Sequence, residues 1–345
     1  MSSVCVTFLC PAQTRPYLVE YVENLTLALR TYHNTKEVRS ASTAILSSGE
    51  NPTNNKHKNL DIRVQWLSED EQEGKDRDAP VGVVRVAVQK PRPGAHLWLN
   101  TEQMTRQWWV SQVVAWEKED QTAGRQRWDY SACNAKLWSA VVRRDILKLH
   151  LISTTTLAQH RQSHVTSCLP YLLSAQVDDW GQELCTLPKL YDVAFVGTLT
   201  PRRQKALDGL RHQRPDLRVL VLTDAFGQAR NALLARARVL LNIHADNEYL
   251  VFEEIRCAPA IYNGLCVVSE TSLFDPQHPL FPHIQFAPYE SLVDTVGRVL
   301  VSQADGPGVL RVELEAQLLR YSQLPQFYNQ LLRTCGTTGQ VTCMF

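Results

Sequence analysis

The chain has 345 residues, 44% hydrophobic and 21% charged, with a formal net charge of +1. Such a length favours two domains over one small core. The near-neutral balance gives no general attraction to nucleic acid, and no apolar run reaches the roughly 20 residues of a membrane-spanning helix.

The N-terminal stretch lacks a charged leader and a long apolar core, so Val4 to Leu9 reads as a strand. A helical pattern follows from Pro16 to Tyr32, then a polar loop at 47–59. DIRVQWL (61–67) and VGVVRVAVQ (81–89) are two further strand patterns, separated by a charge run from Ser68 to Asp78 that suits a solvated loop. After the PRPG turn and HLWL come helical patterns over Thr105–Ala123, Asn134–Leu149 and around Leu157. The strands of this half are short, and their order does not follow from the pattern. Leu169 to Leu190, with Pro170, Gly181 and Pro188, marks a boundary between domains at 1–180 and 190–345.

Beyond the boundary the pattern alternates cleanly. Strands at 191–197, 217–223, 238–243 and 265–269 are separated by helices at 201–212, 227–236 and about 250–262. A weaker strand at 284–286 precedes helices at 288–303 and 309–333. Such alternation predicts a parallel sheet with right-handed βαβ crossovers and helices on both faces.

The nine cysteines are scattered, odd in number and without a CxxC pair, which argues for a reducing, cytoplasmic setting. Cys257 and Cys266 sit in apolar surroundings and read as small buried side chains.

The strand ends carry the chemistry. Gly197 permits a tight turn, Thr200 suits an N-cap and Pro201 the first helical position, so free amides there, with Arg202 and Arg203, can hold a phosphate. Gly227 marks the next turn, and Arg230 lies early in a helix, where a cation opposes the macrodipole unless an anion is present. Asn242 and His244 close the third strand. His244 can orient a ligand or simply finish the sheet edge, and no second ligand at metal spacing stands near it. Glu253, Glu254 and Arg256 open the following helix, where a carboxylate can accept two hydrogen bonds from a ribose or sugar diol. Glu270 ends the next strand at the same edge. In open α/β sheets that edge binds ligands. In the first half Glu102, Asp129, Ser131 and Asn134 can line an opposing wall, though each is also an ordinary N-cap type. The tryptophans at 108, 109, 116, 128 and 138 suit core packing, or an aromatic platform for a sugar.

Taken in order, LNTEQM, WDYSACN, YDVAFVGTLTPRR, FGQAR, VLLNIH, FEEIR and NGLCVVSE resemble glycosyltransferases of the GT-B architecture, in particular a divergent subgroup of large DNA viruses and bacteria. The resemblance spans about Leu97 to Glu270. It implies two Rossmann-like α/β domains facing across a cleft, with a UDP- or GDP-sugar co-substrate on the C-terminal domain and no bound cofactor or metal. Gly197, Arg202 or Arg203 and Arg230 then correspond to diphosphate contacts, and Glu253 or Glu254 to the carboxylate on the donor. Glu102 or Asp129 would serve as the base of an inverting enzyme. The acceptor stays open among glycan, protein, lipid and modified base. The family's pair of glutamates with seven residues between them is not reproduced: eight residues beyond Glu253 stands Ile261, and beyond Glu254, Tyr262. That departure keeps a catalytically inactive, ligand-binding module as the alternative. A nicotinamide dehydrogenase fares worse, because no GxGxxG opens a helix.

Overall fold

The computed structural model describes residues 4–15, 18–34 except 20 and 24, 60–67, 83–89, 95, 97–119, 126–142, 165–167, 184–302, 314, 317–318 and 324–338. The expected loops at 47–59 and 68–78, the turn at 91–94 and the helical pattern around Leu157 lie outside them.

The first sheet holds β1 (Val4–Pro11), β2 (Leu60–Leu67), β3 (Val83–Val88), β4 (Leu97–Asn100), β5 (Gln126–Asp129) and β6 (Val165–Ser167). Its strands are parallel and lie in the order β2-β1-β3-β4-β5-β6. The second sheet holds β7 (Tyr191–Val196), β8 (Val219–Leu222), β9 (Ala237–Asn242), β10 (Cys266–Glu270) and β11 (Ile284–Ala287). It is also parallel, in the order β11-β10-β9-β7-β8. Numbered within each sheet, both orders read 2-1-3-4-5 over five strands, the doubly wound pattern. Chain direction then reverses beside the first strand and opens a crevice at the carboxyl ends.

Strand alternation builds a core on each face of the second sheet. Ala194, Val196 and Leu240 point to one side with Phe252, Cys257 and Ile261. Val193, Phe195, Val239 and Leu241 point to the other with Leu207, Leu210, Val296 and Leu300. The flanking helices are α4 (Pro201–Gln213), α5 (Gly227–Leu234), α6 (Glu254–Tyr262) and α7 (Leu292–Ser302). In α7 the buried residues Leu292, Val296, Val299 and Leu300 follow helical spacing, the stripe a surface helix needs.

The first sheet is built likewise. Val6, Phe8, Val84, Val86 and Leu97 pack with the helical residues between 18 and 34 (α1). Trp98, Met104, Trp109 and Trp138 form the other face with α2 (Gln107–Glu119) and α3 (Ala132–Val142). Four of the five tryptophans noted in sequence thus sit in or against cores, while Trp108 is 49% exposed. Strands β5 and β6 have no strong sequence signal. Gln126–Asp129 contains one large apolar residue, and its pairing with Leu97–Asn100 supplies the ladder that propensity does not.

The last helix, α8 (Leu324–Thr338), does not stay with the second sheet. Phe327, Tyr328 and Leu331 are buried in the first core, where Phe327 meets Trp128 at 4.6 Å and the Tyr328 hydroxyl lies 2.6 Å from His33 Nδ1. A division that gives every residue after 190 to the second domain therefore separates α8 from the core it completes. The fold is α/β, with two Rossmann-like halves facing across a cleft. Among the described residues no helix is long and apolar enough to cross a membrane.

Candidate functional site

A cleft of about 430 Å³ lies where the carboxyl ends of the two sheets face each other. From the first half it is lined by Leu18, Thr101, Glu102, Gln103 and Tyr130, all following strand ends or opening α1. From the second half come the Gly197 turn, Arg203, the 224–226 turn with Arg230, Tyr249, Glu253 and Arg256.

The adjacent arginines of α4 part company because of helical phase. Arg203 stands four and seven residues before Leu207 and Leu210, the buried residues of α4, so its side chain enters the protein. It is 3% exposed; Nε donates to the Ile243 carbonyl at 2.8 Å and Nη1 to the Thr198 carbonyl at 3.0 Å. Burial, reinforced by the nearby Arg256 charge, lowers Arg203 to about 10, so it remains cationic at neutral pH. Arg202, about 100° around the helix, pairs bidentately with Glu270 and lies 4.0 Å from the Tyr289 ring. It is not among the residues lining the cleft.

Glu253 sits at the N-cap of α6. Its Oε1 accepts from Arg256 Nη1 at 2.8 Å and from Arg203 Nη2 at 3.4 Å. Its Oε2 is buried with no hydrogen-bond partner among the described residues. A buried carboxylate oxygen in that condition costs free energy, which a ligand donor would recover. Glu254, one residue on, turns away into the phase of Cys257, Ala258 and Ile261. It is 1% exposed, with Oε1 2.9 Å from His278 Nε2. Gly197 has φ +136°, a region reserved for glycine, and a Cβ there would lie 3.5 Å from both Arg203 and Arg256. Thr200 caps α4 as expected, accepting from Arg203 N.

Of the second-half candidates, the cleft gathers Gly197, Arg203, Arg230, Glu253 and Arg256. Gly227, with φ +67°, shapes the turn that precedes Arg230. Asn242 is fully buried beneath the site, where Oδ1 accepts from Arg256 at 3.2 Å. His244 is 2% exposed, its Nε2 2.9 Å from Ser272 Oγ, and burial lowers its pKa. It finishes the sheet edge.

The two carboxylates of the first half differ as sharply. Glu102 faces the cleft; Oε1 accepts from Gln89 Nε2 at 3.1 Å, and Oε2 stands 3.6 Å from Arg106. Burial raises its pKa, against the opposing pull of Arg106 and Gln89. Asp129 is wholly buried under the loop. Its Oδ2 accepts from Asn100 Nδ2 at 2.7 Å and Asn134 Nδ2 at 2.8 Å, and its Oδ1 from Ser131 N at 3.0 Å. The two asparagines in turn donate to the Glu102 carbonyl, each at 2.8 Å. Asp129 therefore shapes the backbone that carries Glu102 rather than facing a ligand.

Gln103 and Tyr249 also line the cleft. Gln103 Nε2 donates to the Val251 carbonyl at 2.8 Å, and Oε1 accepts from Val251 N at 3.0 Å, joining the two halves beside the site. Tyr249 is stacked 4.7 Å from the Arg106 guanidinium, across the same junction. Both lie in segments without periodic pattern, so no sequence signal marked them. Arg203 did carry one: its spacing to Leu207 and Leu210 distinguishes it from Arg202.

No family model matches the chain. It is 34% identical over 147 residues to the uncharacterized protein L140 of Acanthamoeba polyphaga mimivirus, covering 42% of this chain and 47% of that protein. It is 32% identical over 148 residues to the uncharacterized protein L138 of the same virus, covering 42% of this chain and 16% of that protein. The chain thus spans less than half the length of these relatives. Among solved structures it is similar to AviGT4, a glycosyltransferase involved in avilamycin A biosynthesis, at 11% identity and TM-score 0.43 over 96% of this chain and 97% of that one. T4 phage BGT in complex with UDP and Mn2+ gives 11% and 0.41 over 98% and 100%. A putative UDP-N-acetylglucosamine 2-epimerase from Listeria monocytogenes gives 10% and 0.44 over 98% and 96%.

Proposed function

We propose that the protein is a glycosyltransferase that holds a nucleotide-sugar in this cleft and passes its sugar to an acceptor hydroxyl. The observation that carries the reading is the meeting of Arg203, Arg230, Arg256 and the Gly197 turn with Glu253, whose buried Oε2 has no partner among the described residues. Guanidinium groups and the start of α4 suit a diphosphate, and the free carboxylate oxygen suits a hydroxyl of the ribose or sugar. Glu102 stands on the opposite wall as the base. The acceptor oxygen attacks the anomeric carbon as the carbon–phosphate oxygen bond breaks. Its proton passes to Glu102, and the electron pair leaves on the diphosphate. Attack from the wall opposite the leaving group inverts the anomeric centre. The arginines supply the charge that steadies the leaving diphosphate, so no metal is required.

A panel of UDP-, GDP-, CMP- and dTDP-sugars, scored by thermal shift and by nucleotide release with and without EDTA, tests this. One donor should stabilise the protein and give slow, EDTA-insensitive release of its nucleotide. Arg230→Ala and Arg256→Gln should each weaken that donor by about 10- to 100-fold, the worth of a hydrogen bond between charged groups. These variants are preferable to Arg203→Ala, which also strands the Ile243 and Thr198 carbonyls. No shift and no release from any donor would overturn the reading. Binding without release or transfer would support the inactive ligand-binding module, which the withdrawal of Asp129 from the cleft favours.

A further inference from the structure

Gln89 follows β3 at the carboxyl edge, where β3 lies beside β1 at the switch point of the first sheet. Its φ is +68°, left-handed backbone that a glutamine seldom adopts and a glycine adopts freely. The main chain is pinned in that shape: Gln89 N donates to the Leu99 carbonyl at 2.7 Å, and the Gln89 carbonyl accepts from Trp98 Nε1 at 2.8 Å. None of these bonds uses the side chain. The carboxamide instead reaches 13 residues along the chain to Glu102 Oε1, at 3.1 Å. Backbone strain of this kind persists where the surrounding structure demands it, and it gathers at functional sites.

We infer that Gln89 is a positioning residue, kept in an unfavourable backbone conformation because its side chain holds the Glu102 carboxylate toward the cleft. Three separate devices then converge on Glu102. Gln89 fixes Oε1, and Arg106, at the entry to α2, stands beside Oε2. The Asp129–Asn100–Asn134 cluster fixes the main chain: Glu102 N donates to Asn100 Oδ1 at 3.1 Å, and both asparagines donate to the Glu102 carbonyl. A carboxylate that only decorated a surface loop would need none of them. Among the described residues, the titratable and charged groups that interact with Glu102 are Arg106, Tyr249 from the second half and Tyr130 after β5. A donor on a carboxylate favours the ionised form, so loss of the Gln89 carboxamide drives the Glu102 titration upward.

The kinetic part of this inference rests on the transferase reading; the structural part does not. The decisive variant is Gln89→Gly, which keeps both main-chain bonds, relieves the backbone and deletes the carboxamide. Gln89→Asn is its companion, retaining an amide one methylene too short. Carbon-13 NMR of labelled glutamate carboxyls, with Glu102 assigned through Glu102→Gln, follows the titration directly. In Q89G we expect a melting temperature equal to or above the wild type and a Glu102 titration moved to higher pH. We also expect a kcat for transfer lowered about tenfold or more, with donor KM unchanged and the acid limb of the pH profile moved up in step. Q89N should share the titration and rate changes. A residue that mattered only for folding would lower the melting temperature and leave the titration where it was. An unmoved Glu102 titration in Q89G overturns the inference whatever the activity. If the wild type transfers no sugar, the transferase reading fails, and the titration still decides the role of Gln89.

Discussion

Replacing Gln103 by leucine removes the carboxamide that joins the two halves while keeping nearly the same volume. In the native protein that carboxamide serves both main-chain groups of Val251, at 2.8 and 3.0 Å. Val251 is fully buried among Trp98, Met104 and Trp138, and Gln103 is 5% exposed, so water is a poor substitute. Each buried backbone group left unpaired costs about 1–3 kcal/mol. Leucine returns about 1 kcal/mol through added apolar burial. With two such groups the net loss is therefore about 1–5 kcal/mol. Urea unfolding followed by circular dichroism and tryptophan fluorescence measures it, with the denaturant slope unchanged if only the folded state is affected. Gln103→Glu adds a signature in pH. The ionised carboxylate accepts from Val251 N but repels its carbonyl, whereas the protonated acid can serve both groups. That variant should approach wild-type stability near pH 4.5 and fall away toward pH 7. A loss below about 0.5 kcal/mol for Gln103→Leu, against the roughly 1–5 kcal/mol expected, would refute the reasoning, because it would mean that Val251 is satisfied without this side chain.

Two further outcomes follow from the site. Burial raises Asp129 to about 8 from an ordinary 3.8, so the folded protein holds this proton more tightly than the unfolded chain does. The contribution to stability is complete below about pH 4 and is lost as pH rises through about 8. Urea unfolding between pH 5 and 8.5 should show this decline, and Asp129→Asn should flatten it; equal slopes in both proteins would contradict the assignment. Gly197→Ala forces φ +136° on a residue with a Cβ, while the new methyl meets Arg203 and Arg256 at an ordinary 3.5 Å. The cost should thus be backbone strain of about 1–3 kcal/mol. Donor affinity should fall with it, and a variant as stable as the wild type would show that the turn relaxes without cost.

Much of the second half is legible in the sequence because its signals are local. Apolar runs of strand length, glycine turns and helical stripes alternate there, so β7 to β11 and the helices between them fall close to their expected places. The N-cap of α4 is likewise written in Thr200 and Pro201. Even the choice between Arg202 and Arg203 was available, since only Arg203 shares the phase of Leu207 and Leu210. The same argument separates Glu254, in phase with Cys257 and Ile261, from Glu253 at the cap.

Tertiary structure decided the rest. Strands β5 and β6 exist because a neighbouring ladder recruits them, and parallel partners are distant in sequence. The return of α8 to the first core depends on Phe327 and Tyr328 finding Trp128 and His33, roughly 200 and 300 residues away in the chain. Asp129 and Glu102 are both plausible bases by residue type. Only the layering of α3 and the 100–105 loop over β5 buries one and leaves the other facing the cleft. Local sequence therefore determined the elements and the polar groups at their ends. Which of those groups share a cleft was decided by long-range packing, because a side chain's solvent exposure and partners belong to the assembled layers and not to the segment that carries it.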